Sequence, residues 1–523
     1  MADAAPSRRL ARAATLMAAA TVASRVLGLL REVVAAALFG ATNAKAAYVI
    51  AYYVPFFVQR LLLGGTLSVV FIPTISRYLV AGDDEGARRV SGMLFTVVLL
   101  LGAAMVLAGE AAAPLLVRIA ALGFAGSPGL VSLAVSLTRI TFVAMLFLAL
   151  SVYVTGFLQA HHRFAVPAIA PLVFNIVIIA GTLVLGPRIG IAGLALSWIL
   201  GTAAQFAVQL PGARRLGLAF RRPDLGHPAV RELGRLAVPA MLGLAVVEIN
   251  AYVGRFFASL LPTAGGVNPV AVLDYAYEVV QAPAGIFAVS IATAIFPLLS
   301  RRAAAGASAD VRATGSLGLR TILVALLPVM AGIFALHRPL IALIFQRGEF
   351  GPAATDAVSA ALTAYALGLP AIGAYYVVTR TYYALHDMAT PVRVGVAMVV
   401  LNAGLDYLLM RLLGTVGLAL ASSVVALINV GMLLWLLRRR LGGVEAGALL
   451  RTGVRAGGAA AAAAVAMWIT AGWLEPAGLL VQVGAAAVVG TGVYLGGCLL
   501  LRVEELRVVT GLLRGRPAAG APR

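Results

Sequence analysis

Phe71-Ile72-Pro73-Thr74-Ile75-Ser76-Arg77 is matched, 224 residues further on, by Ile295-Phe296-Pro297-Leu298-Leu299-Ser300-Arg301, with Pro, Ser and Arg in register. The same shift carries His162, Ala165 and Pro167 onto His386, Ala389 and Pro391. It also carries Gly190-Ile191-Ala192-Gly193-Leu194-Ala195-Leu196 onto Gly414-Thr415-Val416-Gly417-Leu418-Ala419-Leu420, and Arg31 onto Arg255. One constant offset across separated segments is the mark of an internal duplication. The chain reads as two homologous lobes with a basic position common to both.

Composition sets the medium of those lobes. Hydrophobic residues make up 62% of the chain and charged residues 11%, with a mean hydropathy of +0.99, a balance foreign to soluble domains. Apolar runs of about 20 residues, each long enough to cross roughly 30 Å of hydrocarbon as a helix, recur from end to end. Because lipid offers backbone groups no other partner, the expected fold is all-α: a polytopic membrane helical bundle of about 14 transmembrane helices. The expected spans are 10–39, 46–76, 90–110, 131–160, 164–186 and 190–212, then 234–261, 270–299, 315–336, 354–385, 391–411 and 415–437, and finally 456–473 and 478–501. This gives two pseudo-symmetric six-helix lobes, residues 1–224 and 225–443, and two C-terminal helices with a basic tail in 444–523.

Arginine placement supplies the topology. Arg88-Arg89, Arg214-Arg215, Arg221-Arg222, Arg301-Arg302 and Arg438-Arg439-Arg440 fall in alternate loops, whereas the others carry little beyond Lys45, Arg118, Arg188, Arg338, Arg347 and Arg411. The positive-inside rule then puts both termini in the cytoplasm. An even number of helices per lobe makes the repeats parallel, with their pseudo-twofold axis along the membrane normal. The net charge of +20 follows from this topology and from attraction to anionic lipid head groups, so no nucleic-acid partner is expected. The single cysteine, Cys498, excludes a disulfide framework. The N-terminal segment reads as a retained first span and not as a cleaved signal.

Ionisable residues inside the spans carry the functional information: Arg25, Arg31, Glu32, Arg60, Arg139, Glu248, Arg255, Asp274, Glu278, Arg380 and Asp406. Each costs about 2.5 to 3.5 kcal/mol at the bilayer centre, so they face the bundle interior or an aqueous cavity. Arg25 and Glu32 are spaced to share a helix face, as are Glu248 and Arg255, while Asp274 and Glu278 share another. Structural ion pairs are the plain alternative. An interior arginine cluster at Arg25, Arg31 and Arg255 suits an anionic substrate, and phosphate in particular. No GxxxxGK[ST] loop exists, since Lys45 is the only lysine, and no HExxH occurs. The histidines lack metal-ligand spacing, Asp83-Asp84-Glu85 reads as a solvated loop, and no nucleophile accompanies Asp274 and Glu278. Neither catalytic residues, nor a metal, nor a cofactor is expected, and a coupling ion stays open.

Taken in order, Ser24-Arg25-Val26-Leu27-Gly28 with Arg31-Glu32 and Phe39-Gly40-Ala41, Phe71-Ile72-Pro73, Phe164 with Pro167, Pro171 and Asn175, Gln209-Leu210-Pro211, Phe296-Pro297 with Ser300, Phe345-Gln346-Arg347-Gly348-Glu349-Phe350, and Thr390-Pro391 form a series. It resembles the MurJ (MviN-type) lipid II flippases of the multidrug/oligosaccharidyl-lipid/polysaccharide exporter superfamily, over roughly residues 20 to 440. The resemblance implies a monomeric inner-membrane flippase that moves undecaprenyl-diphosphate-linked peptidoglycan precursor to the outer leaflet by alternating access. It also implies a central cationic cavity and a groove for the lipid tail on the last two helices. Arg25, Arg31 and Arg60 match arginines of the family, and Arg255 adds a cation, with Glu32, Glu248 and Glu278 as charge partners in the cavity. The chain departs from the pattern at Ala46, Gln59, Glu278 and Gln281, where the family carries an acid, an arginine, an arginine and an acid. An exporter of another lipid-linked glycan, or a multidrug antiporter of the same superfamily, is the alternative.

Overall fold

A computed structural model describes residues 4–63, 72–224, 226–228 and 252–506. It is helical throughout, and among the described residues the only β pairing is an isolated bridge between Ala264 and Val267. The helices are α1 Ala4–Phe39, α2 Asn43–Leu63, α3 Ile72–Val80, α4 Asp84–Ala120, α5 Pro128–Ala160, α6 Ala165–Ile189, α7 Ile191–Ala207 and α8 Leu210–Arg215. A helical segment at 252–259 is α9. Then come α10 Pro269–Pro283, α11 Val289–Ala304, α12 Ser308–Phe345, α13 Pro352–Ala366, α14 Leu369–Ala384, α15 Ala389–Leu441, α16 Ala446–Trp473 and α17 Leu479–Leu500. Among the described residues nine helices are long and apolar enough to cross a membrane, or ten if the bent pair α13 and α14 counts as one span. Most of the span expected at 234–261 lies outside the described residues.

The chain divides into two units: Met1–Ala271 with Arg347–Phe350, and Val272–Gln346 with Gly351–Arg523. The duplication read from sequence is written into the backbone of both. Gly82 and Gly306 have φ of 72° and 69°, His162 and His386 of 58° and 56°, Gly190 and Gly414 of 64° and 58°, each pair separated by the repeat offset. Gly190 (ψ −146°) separates α6 from α7, and Gly414 (ψ −132°) breaks the 53-residue α15 at the corresponding place. Only glycine enters that region of the map without strain. At about 1.5 Å per residue an unbroken α15 would far exceed the bilayer, so Gly414 makes two spans of it. Three residues on, a Cβ on Gly193 or Gly417 would overlap the backbone of Leu185 or Leu409, again equivalent positions.

Lipid tails are as apolar as leucine, so helices associate here through close packing and interhelical hydrogen bonds. In the first unit the Thr141 hydroxyl donates to the Ala51 carbonyl at 2.6 Å, the Tyr153 hydroxyl to the Ser91 carbonyl at 2.6 Å, and the buried Gln209 amide to Ser151 Oγ at 2.8 Å. In the second, the Tyr382 hydroxyl donates to the Leu433 carbonyl at 2.8 Å and the Tyr494 hydroxyl to the Val324 carbonyl at 2.7 Å. Ala456, Ala459, Ala460 and Ala463 form a small-residue stripe that lets α16 lie against α12.

Irregular backbone is satisfied by side chains. The 43° bend between α13 and α14 falls just before Pro370, and Ser423 serves it twice: its Oγ accepts from Gly368 N at 3.1 Å and donates to the Ala364 carbonyl at 2.7 Å. Asp83, Asp84 and Glu85 are exposed, as expected of a solvated segment; Asp83 also caps α4, accepting from Gly86 N at 2.8 Å, with Asp84 and Glu85 in the positive first turn. Asp387, before α15, accepts from Thr390 N and Thr390 Oγ1 and from Arg440. Burial alone would raise its pKa, but these donors together hold it below its ordinary value.

Gly190→Ala and Gly414→Ala should each cost on the order of 1 to 3 kcal/mol, seen as reduced yield of folded protein and a lower melting temperature in detergent. Gly404, also on α15, has open space around its Cβ direction, so Gly404→Ala should be neutral or mildly stabilising.

Candidate functional site

The first unit gathers its buried charge around Glu32. On α1, Arg31 donates from Nε and Nη2 to Glu32 Oε1 at 3.2 and 3.0 Å, and from α2 Lys45 donates from Nζ to Glu32 Oε2 at 2.9 Å. Glu32 is 8% exposed and Lys45 1%. Two cations thus share the two oxygens of one carboxylate, so that each charge taken out of water has an opposite charge beside it. The fit depends on the short link between helices: α1 ends at Phe39, Gly40 turns the chain with a φ of 59°, and α2 starts at Asn43. That turn returns Lys45 to the level of Glu32, seven residues before the end of α1.

Aromatic side chains line this charged group. The Arg31 guanidinium lies 5.2 Å from the Trp198 ring centre and the Lys45 ammonium 5.5 Å from that of Tyr48. Trp198 packs on Tyr52 and Phe174 at 5.0 and 5.4 Å. Arg255, the repeat counterpart of Arg31, is also in the first unit; it donates to the Tyr53 hydroxyl and stacks over the Tyr53 ring at 3.5 Å. Tyr252 meets Tyr53 edge-on at 6.0 Å. Cation–π contacts of this kind hold guanidinium planes in place and contribute up to about 2 kcal/mol when desolvated.

The remaining site residues expected from sequence are distributed differently. Arg25 is exposed and lines a cavity of about 220 Å³ with Ser24, Gln159, Pro167 and Pro171. Beside it, the Asn175 amide donates to Ser24 Oγ at 3.3 Å and to the Pro171 carbonyl at 3.0 Å, which gives Asn175 of the sequence series a role in tying α6 to α1. Glu32 therefore binds Arg31 and Lys45, while Arg25 serves a separate cavity of the same unit. Arg60 lies on α2 at a position whose side chain is not described, and Glu248 lies outside the described residues. Glu278 is half-buried on α10 in the second unit, one turn from the buried Asp274; Gln281 donates to the Tyr277 hydroxyl at 2.7 Å.

Lys45 is the residue that sequence reasoning missed. It reads there as a loop cation, yet it sits in the first turn of α2 and is buried. Two signals pointed to it: it is the only lysine among 40 basic residues, and it directly precedes Ala46, where the family pattern loses an acid. The second unit has buried polar pairs of its own, among them one on α15. Asn402 donates to Asp406 Oδ2 at 2.8 Å on α15, both side chains are buried, and neither Asp406 Oδ1 nor Asn402 Oδ1 has a hydrogen-bond partner among the described residues. Among the described residues no group of three or more His, Cys, Asp or Glu is placed to hold a metal ion.

The family model described as Lipid II flippase MurJ matches residues 35–484. A probable lipid II flippase MurJ of Vibrio cholerae serotype O1 is 33% identical over 82% of this chain and 82% of its own length. A lipid II flippase MurJ of Burkholderia cenocepacia is 29% identical over 82% and 84%. Among solved structures, an inward closed conformation of lipid II flippase MurJ covers 93% of this chain and 99% of its own at a TM-score of 0.76 and 24% identity. An inward-facing MATE multidrug resistance transporter of the MOP superfamily covers 82% and 96% at 0.68 and 16%; both likenesses establish the helical fold. From the extent of the family match and the identity to the Vibrio relative, the chain belongs to the MurJ lipid II flippase family.

Proposed function

We infer that this chain is a lipid II flippase of the bacterial inner membrane, moving the undecaprenyl-diphosphate-linked peptidoglycan precursor from the cytoplasmic to the outer leaflet by alternating access, with both termini in the cytoplasm. The observation that carries this reading is the set Arg31, Glu32, Lys45 and Arg255 in one membrane unit of a chain belonging to this family. Arginine forks bind phosphate oxygens in pairs, and burial strengthens that attraction relative to water. Arg31 is already held on Trp198 and Arg255 on Tyr53, so little further ordering is needed when a diphosphate arrives. Arg25, beside its cavity, supplies a second cationic station on α1. The apolar face left by α16 and α17, with Trp468, Trp473, Leu480 and Leu499 exposed, suits a polyprenyl tail.

A drug antiporter is the rival that the MATE-like fold brings with it. Cationic drugs call for an unpaired acid among the aromatic side chains of the site, whereas Glu32, the acid of the first-unit cluster, is bonded to two cations. For the energy source, Asp406 is the group to examine. A carboxylate buried in a span with an unpartnered oxygen beside a second one on Asn402 is built to exchange a proton or a small cation, and its repeat counterpart, Thr182, cannot carry charge.

Two outcomes are expected in a strain depleted of its own lipid II flippase. Wild-type chain should restore growth, and Arg31→Ala and Arg255→Ala should each abolish rescue at normal membrane levels, with lysine restoring little; full complementation by both alanine variants removes the phosphate assignment. Asp406→Asn should keep the protein in the membrane but slow transport, and unchanged transport across imposed proton and sodium gradients would rule out that coupling role.

The third expectation concerns the outer end of α1. Thr263 Oγ1 donates to Asn43 Oδ1 at 2.8 Å, Asn268 Nδ2 donates to the same oxygen at 2.8 Å, and Glu349 N donates to the Ala37 carbonyl at 2.9 Å. Alternating access requires such contacts to open and close. Cysteines at 43 and 263 in a Cys498→Ala background should crosslink on oxidation and stop flipping until reduced; transport with the crosslink intact would eliminate movement at this end.

A further inference from the structure

Lys45 is the only lysine in a chain whose other basic residues are all arginine. It is also the one basic side chain that is buried among the described residues. Helix electrostatics oppose it twice over: it lies in the first turn of α2, where the helix dipole is positive, and an ammonium away from water carries a desolvation cost. Something specific to a lysine is retained here against both composition and electrostatics.

The geometry around Glu32 says what that is. One carboxylate is divided between Arg31 on Oε1 and Lys45 on Oε2. If Arg31 binds diphosphate, Glu32 is an intramolecular competitor for the same guanidinium donors. Lys45, drawing on the other oxygen, weakens that competition, and its compact three-donor head can stay on Glu32 while Arg31 exchanges partners. An arginine at 45 would instead grip the carboxylate with a planar fork and need more room in a slot that is already 1% exposed.

We propose that Lys45 is a positioning residue for the diphosphate site: it holds Glu32 so that the Arg31 guanidinium can exchange from the carboxylate to the substrate. This rests on the flippase reading above and deepens it. Glu32 is then a stand-in anion, occupying Arg31 until a stronger one displaces it.

The test is binding of undecaprenyl diphosphate to the purified full chain in detergent, with undecaprenyl monophosphate as the comparison and melting temperatures recorded in parallel. Lys45→Gln should bind on the order of tenfold more weakly, and Lys45→Arg should recover only part of the loss. The decisive variant is Lys45→Gln with Glu32→Gln: removing the competitor should return affinity to within about threefold of Glu32→Gln alone, an outcome that a merely structural lysine does not produce. Wild-type affinity in Lys45→Gln, or a double variant as weak as Lys45→Gln, overturns the proposal. So does a double variant that cannot be purified when Glu32→Gln can, because Lys45 is then a folding residue. Absent binding by wild type, or unchanged binding by Arg31→Ala, removes the flippase reading itself, and the role of Lys45 falls with it.

Discussion

Backbone satisfaction in a medium without water is the constraint on which this structure depends. It forces every described span to be a helix, and it decides where helices may stop. Chain reversals fall at glycines that tolerate positive φ, as at Gly190 and Gly414, at the positive-φ histidines His162 and His386, and at bends whose freed groups find a side chain, as Gly368 finds Ser423. Even the carbonyls around the end of α1 are taken up, Ala37 within its last turn by Glu349 N and Ala41 just beyond it by Asn268 N.

The same constraint gives the charges their meaning. A carboxylate and an ammonium with 8% and 1% exposure persist only as partners, and removing one leaves the other stranded at a cost of about 3 to 5 kcal/mol. The Arg31, Glu32 and Lys45 group is therefore a structural tie between α1 and α2, and in the proposed function the same group is the reservoir of donors for an incoming anion. On that proposal substrate binding and helix position would be coupled through one carboxylate, which is what a transporter needs if binding is to bias its conformation.

The two repeats have kept their backbone and diverged in their polar side chains. Turn geometry is reproduced at Gly82 and Gly306, His162 and His386, Gly190 and Gly414. Yet Asp406 answers to Thr182, Asn402 to Ile178 and Lys45 to Pro269. The backbone repeats because steric rules at a turn admit few solutions.

The fold class, the duplication and the positions of nearly every described span were legible in the sequence, because hydropathy and glycine placement act locally and survive in one dimension. Arg31, Glu32 and Arg255 were legible as interior charges for the same reason: a charge in an apolar run has few explanations. Their partners were not. Helical spacing joins Glu32 to Arg25 along one helix, whereas the chain turns at Gly40 and brings Lys45 to Glu32 across 13 residues. Asp83 reads as a solvated acid and is one; that it also caps α4 was not legible, since a cap depends on where the first turn begins. Sequence determined which residues must be buried and where the backbone can turn; which buried charges meet was left to the tertiary structure, because an ion pair depends on distance in space and lipid leaves each charge free to seek any partner the helices bring near.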